Sequence, residues 1–341
     1  MVQLSTFVVI AMAARCMAHP GGHGPSLPQS VRRSYLANAK RTLDQCADHL
    51  ERRGINAHMA ARREEAYETY RRQALNARSD SDDLGTPHHS SLHVTEDTPA
   101  SELFSNNPVC ILAPEQIIGP YWVKGELIRS DIREDQPGIP IIVDTQFINI
   151  ETCEPIENLY SDVWHCNSTG VYSGVQNETN GNGDDDSILD KNFLRGLQKT
   201  DLDGVAQFKS IFPGHYEGRA THIHIVAHIG AKVLENNTLA GGNIAHIGQL
   251  YFDQDLIDAV EATRPYSDNT VPATLNKDDN ILQGALEDSD SDPFFEYALL
   301  GDSLQEGLFA WVTLGVNVSA SYDAQWAAIL TDSDGDDEAS E

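Results

Sequence analysis

The chain has 341 residues, 40% of them hydrophobic, with 23 Lys/Arg against 52 Asp/Glu for a formal net charge of −29 at pH 7. That length admits one large domain or two smaller ones, and the apolar content allows a sizeable core. The acidity excludes nucleic acid and anionic membrane surfaces as partners, since both need a basic footprint.

The charge is unevenly spread. Residues 1–80 hold 12 Lys/Arg and 7 Asp/Glu, net +5, and residues 81–341 hold 11 and 45, net −34. A basic amino-terminal segment can therefore lie against an acidic body. The first 14 residues form a short apolar run, too short to span a bilayer, and Cys16-Met-Ala18 fits a small-residue cleavage site. Residues 1–18 are accordingly expected to be a signal peptide and the protein to be secreted. Four cysteines then remain, Cys46, Cys110, Cys153 and Cys166, an even number suited to disulfides in an oxidising compartment. Of the three possible pairings we expect Cys153 with Cys166, which flank a turn between two strands, and Cys46 with Cys110. Asn167, Asn177, Asn236 and Asn317 each begin a glycosylation triplet.

Residues 19–79 read as a basic helical arm, with a helical hairpin over 28–79. Leu36, Ala39, Leu43, Cys46 and Leu50 recur at three- and four-residue steps, and Gly54 breaks the pattern. Met59, Ala66, Tyr70 and Ala74 make a second stripe, which leaves paired arginines on the outer face. A packing or propeptide-like arm is preferred over a surface that captures an acidic partner. Residues 80–107 are rich in Ser, Asp, His, Thr and Pro and read as a linker. Its His88, His89 and His93 have nothing around them to fix a metal geometry.

From residue 108 to 320 the pattern is β. Short strands are expected at Ile139–Ile150, Asn158–Cys166, Gly204–Phe212, Thr221–His228, Gln249–Phe252 and Leu308–Val318, with turn signals between them. That spacing suggests a mainly β sandwich rather than a βαβ sheet. Asp201-Leu-Asp-Gly204 looks like a hairpin turn and lacks the distal glutamate of a calcium loop. Residues 177–192 and 268–293 read as acidic loops, and residues 321–341 as a solvated acidic tail.

The chemistry is densest between Tyr172 and His224. In Arg219-Ala-Thr-His222-Ile-His224 the two histidines sit at i and i+2, so in a strand both imidazoles point to one face. Alone, such a pair is usually half-exposed surface, and a tyrosine beside glycine is usually a packing residue. Together, Tyr172, Tyr216, His222 and His224 form an uncommon donor set that suggests Fe³⁺ rather than zinc, because a hard cation favours phenolate oxygen and lowers the phenol pKa.

Gly119-Pro-Tyr-Trp122, Asp162-Val-Trp-His-Cys-Asn167 leading to Gly-Val-Tyr-Ser173, Pro213-Gly-His-Tyr216 and Arg219-Ala-Thr-His-Ile-His224 resemble, in order, the motifs of the intradiol ring-cleavage dioxygenases. They look most like the secreted, fungal-type branch. The resemblance covers roughly residues 108–320 and implies an intradiol dioxygenase-like β-sandwich with an amino-terminal helical arm and long acidic loops. It further implies Fe³⁺ held by Tyr172, Tyr216, His222 and His224, with Tyr216 displaced when substrate binds. Arg219 is similar to the family's arginine beside the metal and Gln249 to its glutamine, and Tyr121 is expected to line the substrate pocket. The implied reaction joins O2 to a small aromatic diol of the catechol type and opens the ring between the two hydroxyl-bearing carbons to a muconate-type diacid. Unlike the bacterial catechol enzymes, only two residues separate Tyr216 from Arg219, and Ala220 replaces the usual proline. Oligomeric state is left open, a homodimer being one option.

Three rivals compete with this reading. A zinc or copper centre could use His222, His224 and His228, which share strand parity, but this leaves the tyrosines unexplained. Cleavage after Ala18 would expose His19 as a copper ligand, although Pro20 and the following glycines disfavour it. The sandwich could also be a non-catalytic binding module.

Overall fold

The computed structural model describes residues 46–76, 109–110, 118–181, 185–286 and 292–330. The expected signal peptide, His19, Leu36, Ala39 and Leu43, His88, His89 and His93, and the chain from Thr331 onward lie outside the described residues. In chain order the strands are β1 (Val109–Cys110), β2 (Val123–Lys124), β3 (Pro140–Asn149), β4 (Glu154–Pro155), β5 (Tyr160–Trp164), β6 (Arg195–Lys199) and β7 (Val205–Ile211). They continue with β8 (His222–Ile229), β9 (Lys232–Val233), β10 (Leu239–Ala240), β11 (Asn243–Tyr251), β12 (Glu296–Leu299), β13 (Leu308–Val316) and β14 (Ala328–Ile329).

Two sheets pack face to face. In the first, β13 and β3 run parallel along their length. β12 and β1 add to the free edge of β13, and β7 and β4 to that of β3. The second is antiparallel in the order β11-β8-β5-β6. Alternation decides what each strand gives to the interior. Ile141, Val143 and Phe147 of β3, Phe208 of β7 and Leu308, Ala310 and Val312 of β13 meet Val163 of β5, Ile223, Ile225 and Ala227 of β8 and Leu250 of β11 in one buried core. The even-numbered residues of β8 therefore face away from it, and His222 and His224 are among them.

The arm packs on the outer face of the first sheet. Helical residues 46–52 end at Gly54, whose φ of +69° suits glycine, and a long helix follows over Ile55–Asn76. Ala66, Tyr67, Tyr70 and Ala74 rest on Ile142, Phe309 and Trp311. The expected outer placement of every arginine needs correction. Arg63 is 1% exposed, with Nε donating to Asp144 Oδ1 at 2.9 Å and Nη2 to the Val312 carbonyl at 3.2 Å. Arg62 binds Asp201 and Asp203 at 2.6 and 2.8 Å, and Arg53 pairs with Glu154. The acidic partner of the basic arm is the chain's own body.

The disulfide joins Cys46 to Cys153, and Cys166 is a buried free thiol. Both expected pairings are therefore overturned. Cys153 follows β3 at the edge that meets the arm, so it faces Cys46, whereas Cys166 follows β5 in the other sheet. Asp201–Gly204 is likewise not a hairpin turn, because it carries the chain from β6 in the second sheet to β7 in the first. Part of the expected tail is structured, since β14 pairs with β2. No helix among the described residues is long and apolar enough to cross a membrane.

Candidate metal and ring-cleavage site

The site forms on the outer face of the second sheet, under a lid of loops. β-Pairing sets Trp164 beside His224 on one side, Gln249 beside His224 on the other, and Tyr251 beside His222. All share the outward parity. Trp164 stacks on His224, with centroids 4.6 Å apart and planes 6° from parallel, which fixes that ring. His222 is fixed differently, by donating Nδ1–H to the Ala220 carbonyl at 2.7 Å. The two Nε2 atoms converge to 3.0 Å.

The tyrosines arrive on two loops. Asn180 binds the Tyr172 backbone on both sides, accepting from its N–H at 2.7 Å and donating to its carbonyl at 2.9 Å. Tyr216 follows Pro213-Gly-His215, and His215 is anchored by Glu261 at 2.7 Å and the Val271 carbonyl at 2.8 Å. The loops can touch only because of glycine. A Cβ on Gly170, at φ +84°, would lie 2.3 Å from the His215 carbonyl oxygen, and one on Gly214 would lie 2.6 Å from that of Asn167. The Tyr172 and Tyr216 rings then meet edge to face at 5.2 Å, Tyr216 reaches His222 at 5.6 Å, and Tyr172 reaches His224 at 6.3 Å.

The electrostatics of this group are unusual. Tyr172, Tyr216, His222 and His224 are all buried. Burial first, and then neighbouring Tyr216, hold the Tyr172 phenol well above the usual tyrosine range. Burial raises Tyr216 too, against the pull of Arg219. The imidazoles move the opposite way, His222 down to about 3 and His224 also well down, through burial and then the charges beside them. The result is two neutral imidazoles with converging Nε2 atoms and a buried Tyr172 hydroxyl that has no hydrogen-bond partner. These residues could hold a hard cation, whose charge would convert the phenols to phenolates.

Arg219 closes one side. It donates Nη1–H to the Tyr216 hydroxyl at 3.2 Å and Nη2–H to Gln249 Oε1 at 2.5 Å and the Tyr251 hydroxyl at 2.8 Å. Tyr216, Tyr251 and Asp279 more than offset the burial that would lower its pKa, so the guanidinium stays charged. Tyr121 covers the other side. It lies parallel to Tyr172 at 4.2 Å and meets Tyr216 edge-on at 5.3 Å, and its hydroxyl is 2.5 Å from Thr179 Oγ1.

Every residue expected at the site is thus brought to it. His228 is not, because it turns to Asp162 at 3.2 Å, and no group of three His, Cys, Asp or Glu side chains among the described residues gathers for a metal. Sequence reasoning missed Asp279, Tyr251, Trp164 and Arg195. Arg195 is buried beneath Tyr172, donating to Ser173 O at 2.7 Å and Glu126 at 3.1 Å. Trp164 and Tyr251 were within reach of strand parity, since each lies across β8 from a histidine. Asp279 and Arg195 left no such signal.

The chain is similar to known dioxygenases. A family model described as Dioxygenase matches residues 117–266. Among solved structures, an intradiol ring-cleavage dioxygenase from Tetranychus urticae is similar at 29% identity and a TM-score of 0.51, over 63% of this chain and 98% of that one. The dioxygenase domain of a dioxygenase carbohydrate-binding fusion from Streptomyces sp. SirexAA-E matches at 21% identity and 0.36, over 59% and 96%. Catechol 1,2-dioxygenase from Acinetobacter sp. ADP1 matches at 17% and 0.39, over 64% and 69%. None of the curated proteins matches. Residues 117–266 thus match the Dioxygenase family model, and the fold is similar to that of an intradiol ring-cleavage dioxygenase.

Proposed function

We propose that this protein is a secreted non-haem Fe(III) dioxygenase that opens catechol-type aromatic diols between the two hydroxyl-bearing carbons with O2, giving muconate-type diacids. The observation that carries the reading is the convergence of Tyr172, Tyr216, His222 and His224 around the unpartnered Tyr172 hydroxyl. This donor set fits ferric iron. Two phenolates, two neutral imidazoles and one hydroxide balance its three charges, and hard oxygen donors suit a hard cation.

When bound, Fe(III) supplies Lewis acidity and draws electron density from the coordinated diol so that the ring reacts with O2. The remaining tasks fall to the chain. Tyr216, which would be a phenolate in the iron-loaded protein, would take one proton from the incoming diol to become the neutral phenol, and Arg219 Nη1, 3.2 Å from its oxygen, is placed to stabilise negative charge there and on the nearby substrate oxygen. Gln249 and Tyr251 keep that guanidinium turned toward Tyr216. The Nδ1–H bond of His222 leaves its Nε2 lone pair facing the donors. Tyr121 offers the substrate ring an aromatic wall. A place outside the cell is supported by the apolar opening of the sequence and by the Cys46–Cys153 disulfide.

Oxygen uptake with product analysis tests the proposal, using catechol, hydroxyquinol, protocatechuate and larger phenolics on iron-loaded protein. One O2 consumed per diol and a ring-opened diacid are expected. No uptake with any diol would overturn it.

A further inference from the structure

We propose that Asp279 is a positioning residue for ring cleavage, a buried carboxylate that aims Arg219 and fixes the entry to the strand bearing His222. The inference rests on the role given above to Arg219. Asp279 sits in an acidic stretch whose composition suggests a solvated loop, yet its side chain is 0% exposed.

Its two oxygens divide the work. Oδ1 accepts the N–H groups of Ile281 and Leu282 at 2.8 and 3.0 Å, at the start of the short helix Asn280–Leu286. Oδ2 accepts Arg219 Nε–H at 2.9 Å and Ala220 N–H at 2.8 Å. The Ala220 carbonyl in turn accepts Nδ1–H of His222 at 2.7 Å. One carboxylate is therefore a single bond from the guanidinium and two from a proposed metal ligand.

The guanidinium is planar, so a carboxylate gripping Nε also fixes where both Nη atoms lie. Here that directs Nη1 to the Tyr216 hydroxyl and Nη2 to Gln249 and Tyr251. Leu282, packed with Ala220 and Tyr251, seats the helix that carries the grip. The negative charge of Asp279 also balances the guanidinium, so Arg219 can orient beside a cation without adding an unpaired positive charge.

Asp279→Asn keeps the shape and removes the charge. In iron-loaded protein it is expected to lower kcat about 10–100-fold, with KM changed by less than about 3-fold and iron per chain unchanged. The phenolate-to-metal absorption band should shift with it. Asp279→Glu, which keeps the charge, should recover part of the turnover. Met59→Ala removes buried packing in the arm helix, on the outer face of the other sheet, and should lower Tm while leaving kcat near wild type in folded protein. Wild-type kcat in Asp279→Asn, or an equal kcat loss in folded Met59→Ala, would overturn the proposal. Failure of wild-type protein to consume O2 would instead sink the functional reading. The Asp279–Arg219 coupling is still read in metal-free protein, where Asp279→Asn/Arg219→Gln should melt no lower than the worse single variant. Additive losses would refute it.

Discussion

Tyr172 carries a buried hydroxyl with no partner, a group that costs about 1–3 kcal/mol when left unsatisfied. Under the proposed function that cost falls on the metal-free protein alone. Tyr172→Phe should therefore melt at or above wild type without metal, yet hold iron much more weakly. Differential scanning calorimetry of both forms checks this, and a destabilised metal-free variant would count against it. Arg219 faces the oxygen where charge develops. If its Nη1–H acts on developing negative charge as an oxyanion-hole donor does, Arg219→Ala lowers turnover by ~10²–10³, measured as kcat in iron-loaded protein. Away from the site, His246 tests the burial of imidazoles. Burial alone takes it from 6.5 down to about 4, and its Nε2 has no partner. Between those two values the neutral form is favoured in the folded chain and the charged form in the unfolded one. Its contribution to stability is thus complete above pH 6.5 and is lost as pH falls from there toward 4, at up to about 1.4 kcal/mol per pH unit. His246→Gln should flatten the measured stability over that window relative to wild type.

Among the elements, the arm shows how a basic segment becomes part of an acidic body. Its helix is fastened by Arg63, whose partner Asp144 is equally buried. Removing one side of such a pair strands the other charge, so Arg63→Ala should cost about 3–5 kcal/mol in urea unfolding. A loss under 1 kcal/mol, on the order of a surface pair, would contradict that description. The arm's stripe of Met59, Ala66, Tyr70 and Ala74 was legible because helical spacing shows which face is apolar. Arg63 was not, since a buried cation looks like any surface arginine until its partner is placed. The same contrast runs through the strands. β3, β5, β7, β8 and β13 were legible from their apolar runs, but β6, Arg195-Gly-Leu-Gln-Lys199, carries three polar side chains and one glycine in five residues. The disulfide misled for a related reason. Cys153 and Cys166 are close in sequence but belong to different sheets, and closeness along a chain says little across a sandwich.

For the whole molecule, the sandwich gives the site its form. Parity of a single strand places His222 and His224 on one face, and that much was plain from the sequence. Across that face, Trp164, Gln249 and Tyr251 follow from register, while Asp279 comes from an acidic loop that only the folded chain brings near. Two glycine-bearing loops then set phenols over the imidazoles, producing a buried group with unsatisfied donor capacity. The measurement that tests this account most directly is a titration of metal-free protein with Fe(III), followed by visible absorption and bound iron per chain. The account predicts saturation at one iron per chain, with a red-brown phenolate-to-metal band that Tyr172→Phe and Tyr216→Phe each alter. A protein that stays colourless and retains no stoichiometric iron would contradict it.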